Sequence, residues 1–257
     1  MAIDLADVLH FAPDSALVVE CRPEVTLDPE QNIVHKACRL YARHFPNDKS
    51  GAKITVEKRI PTGAGLGGGS GDAAAALLAM AQINDREINE SLIRELEPLA
   101  AECGSDVPFF LRAGVALVTG RGEHVTPLSI EFPWTVLVVC PGIHVNTALA
   151  YSTLGITGEY PSPNLKDALP YAVENNVFSA DVFINDFEGA VFPQQPFLAE
   201  IKHRIRETGA LFASMSGSGS SVYGLYESAT NAASAAVKLA DLSPYICAPV
   251  TAPYRPL

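Results

Sequence analysis

Ile60-Pro-Thr-Gly-Ala-Gly-Leu-Gly-Gly-Gly-Ser-Gly-Asp72, followed directly by Ala73-Ala-Ala-Ala-Leu-Leu-Ala-Met80, is the stretch that decides how this chain is read. Five glycines (Gly63, Gly65, Gly67, Gly68, Gly69) fall within seven positions, and an alanine-rich helix is predicted from about Ser70 to Ile83. Without side chains the backbone can curl around an anion and aim its N–H groups at it. The start of the helix adds unpaired N–H groups and the positive end of its dipole. A phosphate group suits such a cradle. The bland alternative, a flexible turn capped at Ser70, needs far fewer glycines.

Two familiar phosphate motifs do not fit. A Walker A loop places Gly-Lys-[Ser/Thr] at the helix start, whereas here Gly68 is followed by Gly69 and Ser70. Gly63, Gly65 and Gly68 satisfy GxGxxG nominally, but the strand before them is amphipathic. In Ala52–Ile60 the residues Ile54, Val56 and Ile60 point one way, and Thr55, Glu57 and Arg59 the other. That is a half-exposed strand of an antiparallel or mixed sheet, not the doubly buried first strand of a dinucleotide fold.

Strands are also predicted at Ala16–Cys21, Gly114–Thr119, Trp134–Cys140 and Ile246–Val250, with the apolar Trp134–Cys140 central. Helices are predicted at Asn32–Phe45, Asn89–Ala101, Leu165–Val173, Pro196–Thr208 and Ala229–Ala240. A Gly/Pro/Ser-rich surface connection is expected at Gly155–Asn164, and a second Gly/Ser loop at Ser214–Ser221. The order is α+β: mixed sheets with helices packed on one side.

The 257 residues are 48% apolar and 18% charged, enough for a core, so disorder is excluded as a class. The net charge of −11 makes the chain a poor partner for nucleic acid or an anionic membrane. Five scattered cysteines without a CxxC read as reduced, mostly buried thiols of a cytoplasmic protein. No apolar run approaches the roughly 18 residues of a membrane helix. The histidines show no metal-ligand spacing; His144 alone lies in a segment of interest.

The run Pro61-Thr-Gly-Ala-Gly-Leu-Gly-Gly-Gly-Ser-Gly-Asp-Ala-Ala-Ala-Ala-Leu77 resembles the ATP-binding motif of the GHMP kinases, with Gly71 where a second Ser is common. Gly104-Ser-Asp-Val-Pro-Phe-Phe110 is similar to the segment holding that family's proposed catalytic base, and Met215-Ser-Gly-Ser-Gly-Ser-Ser221 to its third, glycine-rich motif. Pro141-Gly-Ile-His-Val-Asn-Thr-Ala-Leu-Ala-Tyr151 resembles the branch that phosphorylates the 2-hydroxyl of 4-diphosphocytidyl-2-C-methyl-D-erythritol in the non-mevalonate isoprenoid pathway. The likeness runs from Ile3 to about Val250.

The resemblance implies a two-lobe α+β fold. An N-terminal lobe like ribosomal protein S5 domain 2 (residues 1–140) would carry ATP, and a ferredoxin-like C-terminal lobe (141–257) much of the substrate site, with the active cleft between them. It implies ATP and Mg²⁺, a small-molecule substrate and an acidic group to take a proton from the attacking hydroxyl. Asp106 takes that role, against the alternative of a turn residue before Pro108. Nucleotide binding falls to Asn32, Pro61, Gly63, Gly65, Leu66, Gly67, Gly68, Gly69, Ser70 and Gly71. Asn32 can equally be the N-cap of the next helix. Substrate binding falls to Thr147, Tyr151, Gly217, Ser218 and Gly219, with Tyr151 stacking on cytosine or simply packing. Asn185-Asp-Phe-Glu188 also matches the family and reads as structural.

Two further outcomes stay open: a GHMP kinase for homoserine or a mevalonate derivative, and a member that binds nucleotide without turnover. Relatives of this kind open with Pro-[Ala/Thr]-Lys-[Ile/Val]-Asn-Leu and then Gly-Tyr-His, and neither occurs here. The expectation is an N-terminally shortened copy, from a misassigned start. It would lack a lysine that assists the aspartate and one wall of the cytosine pocket, and it would expose a sheet edge.

Overall fold

The computed structural model describes residues 1–26, 28–112, 114–155, 164–179 and 181–250, and the expected connection at Gly155–Asn164 lies almost wholly outside them. Two compact units emerge. The first comprises Met1–Thr62 and Gly67–Ser129, with Val250; the second comprises Gly63–Leu66 and Ile130–Pro249. Among the described residues no helix is long and apolar enough to cross a membrane.

The first unit contains β1 (Ala2–Ile3), β2 (Val8–Pro13), β3 (Leu17–Arg22), a 3-10 turn at Pro29–Gln31, α1 (Ile33–His44) and β4 (Ala52–Glu57). It continues with α2 (Gly68–Ile83), α3 (Glu90–Cys103), α4 (Val107–Arg112), β5 (Ala116–Thr119) and β6 (His124–Pro127). β4 is the middle of a three-stranded sheet, antiparallel to β2 and parallel to β3, with α1 as the crossover between β3 and β4. The sheet is therefore mixed, as the alternation of β4 requires. Ala52, Ile54 and Val56 are fully buried while Lys53 is exposed. Asn32 caps α1 through a 2.8 Å bond from the Val34 N–H, and Asn89 caps α3 through Leu92 N–H. The core joins Ile54 and Val56 to Val34, Ala37 and Tyr41 of α1, Leu77, Leu78 and Met80 of α2, and Leu96 of α3. The alanines of α2 are small enough for neighbouring helices to lie close: Ala73, Ala74, Ala76 and Ala81 are all buried.

The second unit contains β7 (Thr135–Val139), α5 (Thr147–Leu154), α6 (Leu165–Asn175), α7 (Phe187–Val191), α8 (Pro196–Glu207), β8 (Phe212–Met215), β9 (Val222–Tyr226), α9 (Ala229–Lys238) and β10 (Tyr245–Cys247); β11 (Pro249–Val250) ends the described chain. Its sheet has the order β10-β7-β9-β8, with every neighbouring pair antiparallel. A βαββαβ succession in that order is the ferredoxin-like arrangement. β7 is central and four of its five residues are buried, which explains its unbroken apolar run.

The strand expected at Ile246–Val250 is two, β10 and β11, in different sheets, and β5 starts at Ala116 and not at Gly114; three further boundaries bear on the glycine loops. β4 ends at Glu57, three residues short of Ile60: Lys58 N–H still bonds the Arg22 carbonyl of β3, but Asp7 then takes the N–H groups of Arg59 and Ile60. α2 begins at Gly68, so Ser70 lies inside the helix and is not its cap. β8 runs through Met215, shortening the Gly/Ser loop to residues 216–221. The edge strand β2 escaped prediction because its side chains are only partly covered and show no clean period of two.

Candidate active site

In the first unit the glycine-rich run becomes the start of a helix. Gly67 occupies the N-cap in a left-handed conformation, φ +70°, and offers no side chain to close the helix end. The first helical backbone bond runs from Gly71 N–H to the Gly67 carbonyl at 2.9 Å. The N–H groups of Gly68, Gly69 and Ser70 precede it and have no acceptor within the helix. Three amides and the positive helix end thus remain for an anion, whereas in α1 the Asn32 side chain consumes one.

Phe110 of α4 sets the shape of this end. A Cβ on Gly67 would lie 2.8 Å from the Phe110 ring, and one on Gly71 would lie 3.5 Å from it. The same short helix is headed by Asp106, which is exposed, with no side-chain hydrogen bond to any described residue. Its neighbour Ser105 is backed by the β5–β6 turn. A Cβ on Gly122 (φ +121°) would fall 2.1 Å from the Ser105 carbonyl oxygen, so only glycine lets the turn approach. Ile33, next to Asn32, touches both regions: a Cβ at Gly69 would lie 3.6 Å from its Cγ2 and one at Gly104 would lie 3.7 Å from its Cδ1. The first unit therefore gathers Asn32, Gly67 to Gly71 and Asp106 around Ile33 and Phe110. Asn32 is buried; besides capping α1 it donates to the Cys21 Sγ at 3.0 Å.

In the second unit Gly63–Leu66 lies on the Gly/Ser loop. Ser216 Oγ donates to the Gly65 carbonyl at 2.8 Å, and Ser221 N–H donates to the Ala64 carbonyl at 2.9 Å. Gly65 (φ +75°) has no room for a side chain: a Cβ would stand 2.5 Å from the Gly219 oxygen and 2.6 Å from the Ser216 oxygen. Gly217 is exposed and Gly219 buried, both with positive φ. Ser218 Oγ hydrogen-bonds Thr147 Oγ1 at 2.9 Å, which joins this loop to the first residue of α5. One turn along α5, Tyr151 is 60% exposed, its ring edge-on to Phe187 with centroids 4.8 Å apart. His144 is exposed beside Gly63, whose added Cβ would lie 3.8 Å from its Nδ1. Pro61 and Leu66 are half-buried.

Two clusters that support these loops were not foreseen as such. Asn185 Nδ2 donates to the carbonyls of Met215 and Gly217, both at 2.8 Å. Glu188 Oε1 accepts from Ser214 Oγ and Met215 N–H, while its Oε2 pairs with Lys202. Asn185-Asp-Phe-Glu188 thus holds the Gly/Ser loop from below. The second cluster is a buried ion triad of Asp7, Lys58 and Asp72, whose side chains are 1%, 9% and 8% exposed. Lys58 Nζ pairs with Asp7 Oδ2 and lies 2.8 Å from Asp72 Oδ2. Burial opposes the lysine charge, but the bonds to Asp7 and Asp72 outweigh it and raise the pKa above the ordinary lysine value. Burial likewise pushes Asp7 up, and its bonds to Lys58 and to Ile60 and Arg59 N–H reverse that and hold it low.

Asp72 lacks such backbone donors, and burial pushes it up to about 6. A carboxyl raised above its unfolded value favours the folded state most when protonated. Its contribution is full below the ordinary value near 3.8 and is lost as pH rises through about 6. The expected result is that Asp72→Asn gains stability relative to wild type between pH 4 and pH 7, by up to about 3 kcal/mol. Urea melts of both proteins across that range check it; a difference that does not grow with pH refutes it.

The first unit thus holds uncapped helix amides behind a glycine-rich run and an exposed carboxylate at the start of the adjoining short helix, and the second unit holds a second glycine loop. The GHMP kinases N terminal domain matches residues 32–114, and the GHMP kinases C terminal domain matches residues 165–243. The chain is 39% identical over 236 residues to the 4-diphosphocytidyl-2-C-methyl-D-erythritol kinase of Chlorobaculum tepidum, covering 91% of this chain and 81% of that one. It is 36% identical over 239 residues to the enzyme of the same name from Thermodesulfovibrio yellowstonii, covering 90% and 81%. A crystal structure of a 4-(cytidine 5'-diphospho)-2C-methyl-D-erythritol kinase superposes with a TM-score of 0.78 at 33% identity, over 95% of this chain and 86% of that one. A homoserine kinase from Cytophaga hutchinsonii, at 20% identity and TM-score 0.67, shares the fold. The chain belongs to the GHMP kinases, within the group of the 4-diphosphocytidyl-2-C-methyl-D-erythritol kinases.

Proposed function

We propose that this chain transfers the γ-phosphoryl group of ATP to the 2-hydroxyl of 4-diphosphocytidyl-2-C-methyl-D-erythritol, as a cytoplasmic enzyme of isoprenoid precursor synthesis. The observation that carries the reading is the uncapped start of α2 behind the glycine run, in a chain whose likeness to kinases of that name extends over nine tenths of its length.

In this reading the first unit, to Ser129, forms the nucleotide lobe and the second, from Ile130, the substrate lobe, about ten residues before the division at 140 expected from sequence. The free amides of Gly68, Gly69 and Ser70 hold phosphate oxygens, and Gly63, Gly65, Gly67 and Gly71 keep side chains out of the way. Pro61 and Leu66 frame the loop, and Asn32 lies beside the adenine. Thr147 and Tyr151, with Gly217, Ser218 and Gly219, hold the diphosphocytidyl substrate. As the hydroxyl oxygen bonds to the γ-phosphorus and the bond to the β-phosphate oxygen breaks, the hydroxyl proton passes to Asp106. Catalysis then rests on positioning and on fixed dipoles aimed at developing charge.

Magnesium, bound with the nucleotide, would supply neutralising charge to its phosphates. It takes phosphate oxygens, waters and one or two carboxylates, and among the described residues no three His, Cys, Asp or Glu gather into a site that could hold a metal alone. For a protein of net charge −11, those oriented amides are the cheapest local answer to two polyphosphates.

A coupled assay of ADP release tests the reading, with the diphosphocytidyl substrate, homoserine and mevalonate compared. Turnover with the first alone is expected; turnover with another, or ATP binding without turnover, overturns it. Tyr151→Ala is expected to raise KM for the diphosphocytidyl substrate about tenfold while KM for ATP stays put, since a base would lose its stacking partner. Equal KM values for the acceptor in the two proteins would remove Tyr151 from the site.

A further inference from the structure

The loop that cradles phosphate has two feet, and one buried cluster holds both. On the entry side, Asp7 Oδ1 accepts the N–H groups of Arg59 at 2.5 Å and Ile60 at 2.8 Å, immediately before Pro61. Lys58 N–H is itself bound to the Arg22 carbonyl at 2.8 Å. On the exit side, Asp72 stands on α2 one turn beyond Gly68. Lys58 bridges the two by bonding Asp7 and Asp72 at once. The cluster also abuts the helix start: a Cβ on Gly68 would lie 3.0 Å from Ile60 Cγ2 and 3.4 Å from Asp7 Oδ2. The Asp7 carboxylate thus sits close to the positive end of α2, which helps to offset two acids sharing one lysine.

We propose that Asp7, Lys58 and Asp72 are positioning residues that fix the span between Ile60 and Gly68, so that the Gly68, Gly69 and Ser70 amides converge on the nucleotide phosphates before nucleotide arrives. This rests on the reading of the glycine run as the ATP cradle. A buried triad is a poor way to gain stability, because desolvating the charges consumes most of the attraction between them. What it supplies is geometry: three groups in fixed hydrogen-bond directions, tying two elements that the flexible glycines between them cannot hold at a set distance.

The test compares Asp72→Asn with the double variant Lys58→Met/Asp72→Asn. In the single variant an amide oxygen still accepts from Lys58, so it is the reference. In the double variant the bridge is gone, both of its charges are removed, and Asp7 keeps its two backbone donors. Titration calorimetry with MgADP, and KM for MgATP, are expected to weaken about tenfold from the single to the double variant, with KM for the alcohol substrate unmoved. A merely structural role would lower Tm and the active fraction but leave nucleotide affinity alone; that result, or equal MgADP affinities, overturns the clamp. If the double variant does not fold, Lys58→Gln, which removes the charge and one of the three donors, carries the same comparison against wild type. Wild-type protein that binds no MgADP would instead refute the cradle reading itself.

Discussion

Asp106→Asn is expected to lower kcat by about a thousandfold with KM for ATP and melting temperature nearly unchanged. The expectation comes from how the residue is mounted. Asp106 is exposed and heads a helix whose buried side, Val107, Pro108 and Leu111, belongs to the core of the first unit. No described residue hydrogen-bonds or ion-pairs with its carboxylate, so an amide of the same shape is expected to cost the fold little. Its place is nevertheless fixed, by the Gly122 turn against Ser105 on one side and by Phe110 against Gly67 and Gly71 on the other. In the proposed function this exposed acid, mounted at the start of the helix that packs against the N-terminal end of α2, takes the hydroxyl proton, and asparagine cannot. General-base contributions of about 10²- to 10⁴-fold set the scale. Steady-state kinetics decide it: a fall of under about tenfold would leave the aspartate without a proton to receive.

The second large effect is expected at Gly65. An alanine methyl there would stand 2.5 Å and 2.6 Å from two carbonyl oxygens, of Gly219 and Ser216, at a φ of +75°. Neither obstacle is the end of a flexible side chain, so one loop must move. The Ser216 Oγ bond to the Gly65 carbonyl and the Ser221 bond to Ala64 would go with it. Gly65→Ala is expected to cost about 3 kcal/mol of stability and to reduce kcat/KM at least about a hundredfold. Gly63→Ala is the control. It shares a positive φ but meets only His144 Nδ1 at 3.8 Å, so about 1 kcal/mol of backbone strain is expected. Equal effects at the two positions, in melts and in kinetics, would show that φ alone matters and that the loops need not touch.

Much of this was legible in local sequence. The alternation of Ala52–Glu57 identified a half-buried strand of a mixed sheet, and the unbroken run in Thr135–Val139 a central one. Five clustered glycines before an alanine run announced a glycine loop leading straight into a helix, although Ser70 attracted the cap because hydroxyl caps are favoured. The helix instead starts at Gly68, since Gly67 can adopt the left-handed conformation and a side chain there would strike Phe110. Asp106, Thr147 and Tyr151 have no local signature and entered through resemblance alone. The Lys58 triad had a signal that went unused: the period that turns Ile54 and Val56 inward also turns Lys58 inward, and a buried lysine requires acids. Its partners are 51 and 14 residues away. Asn185 and Glu188 bind backbone about 30 residues distant, beyond any periodic pattern.

The short stretch Gly63–Leu66 has a consequence for how the polypeptide can be dissected. It belongs to the second unit, while the residues on both sides of it belong to the first. A break at Ser129–Ile130, the obvious place to separate the halves, would leave the Ala64 and Gly65 carbonyls on one fragment and their donors, Ser221 and Ser216, on the other. The second piece would lose the stretch of backbone that accepts both bonds. Gene fusions or circular permutations that treat the halves as interchangeable cassettes would have to carry four residues of one inside the other.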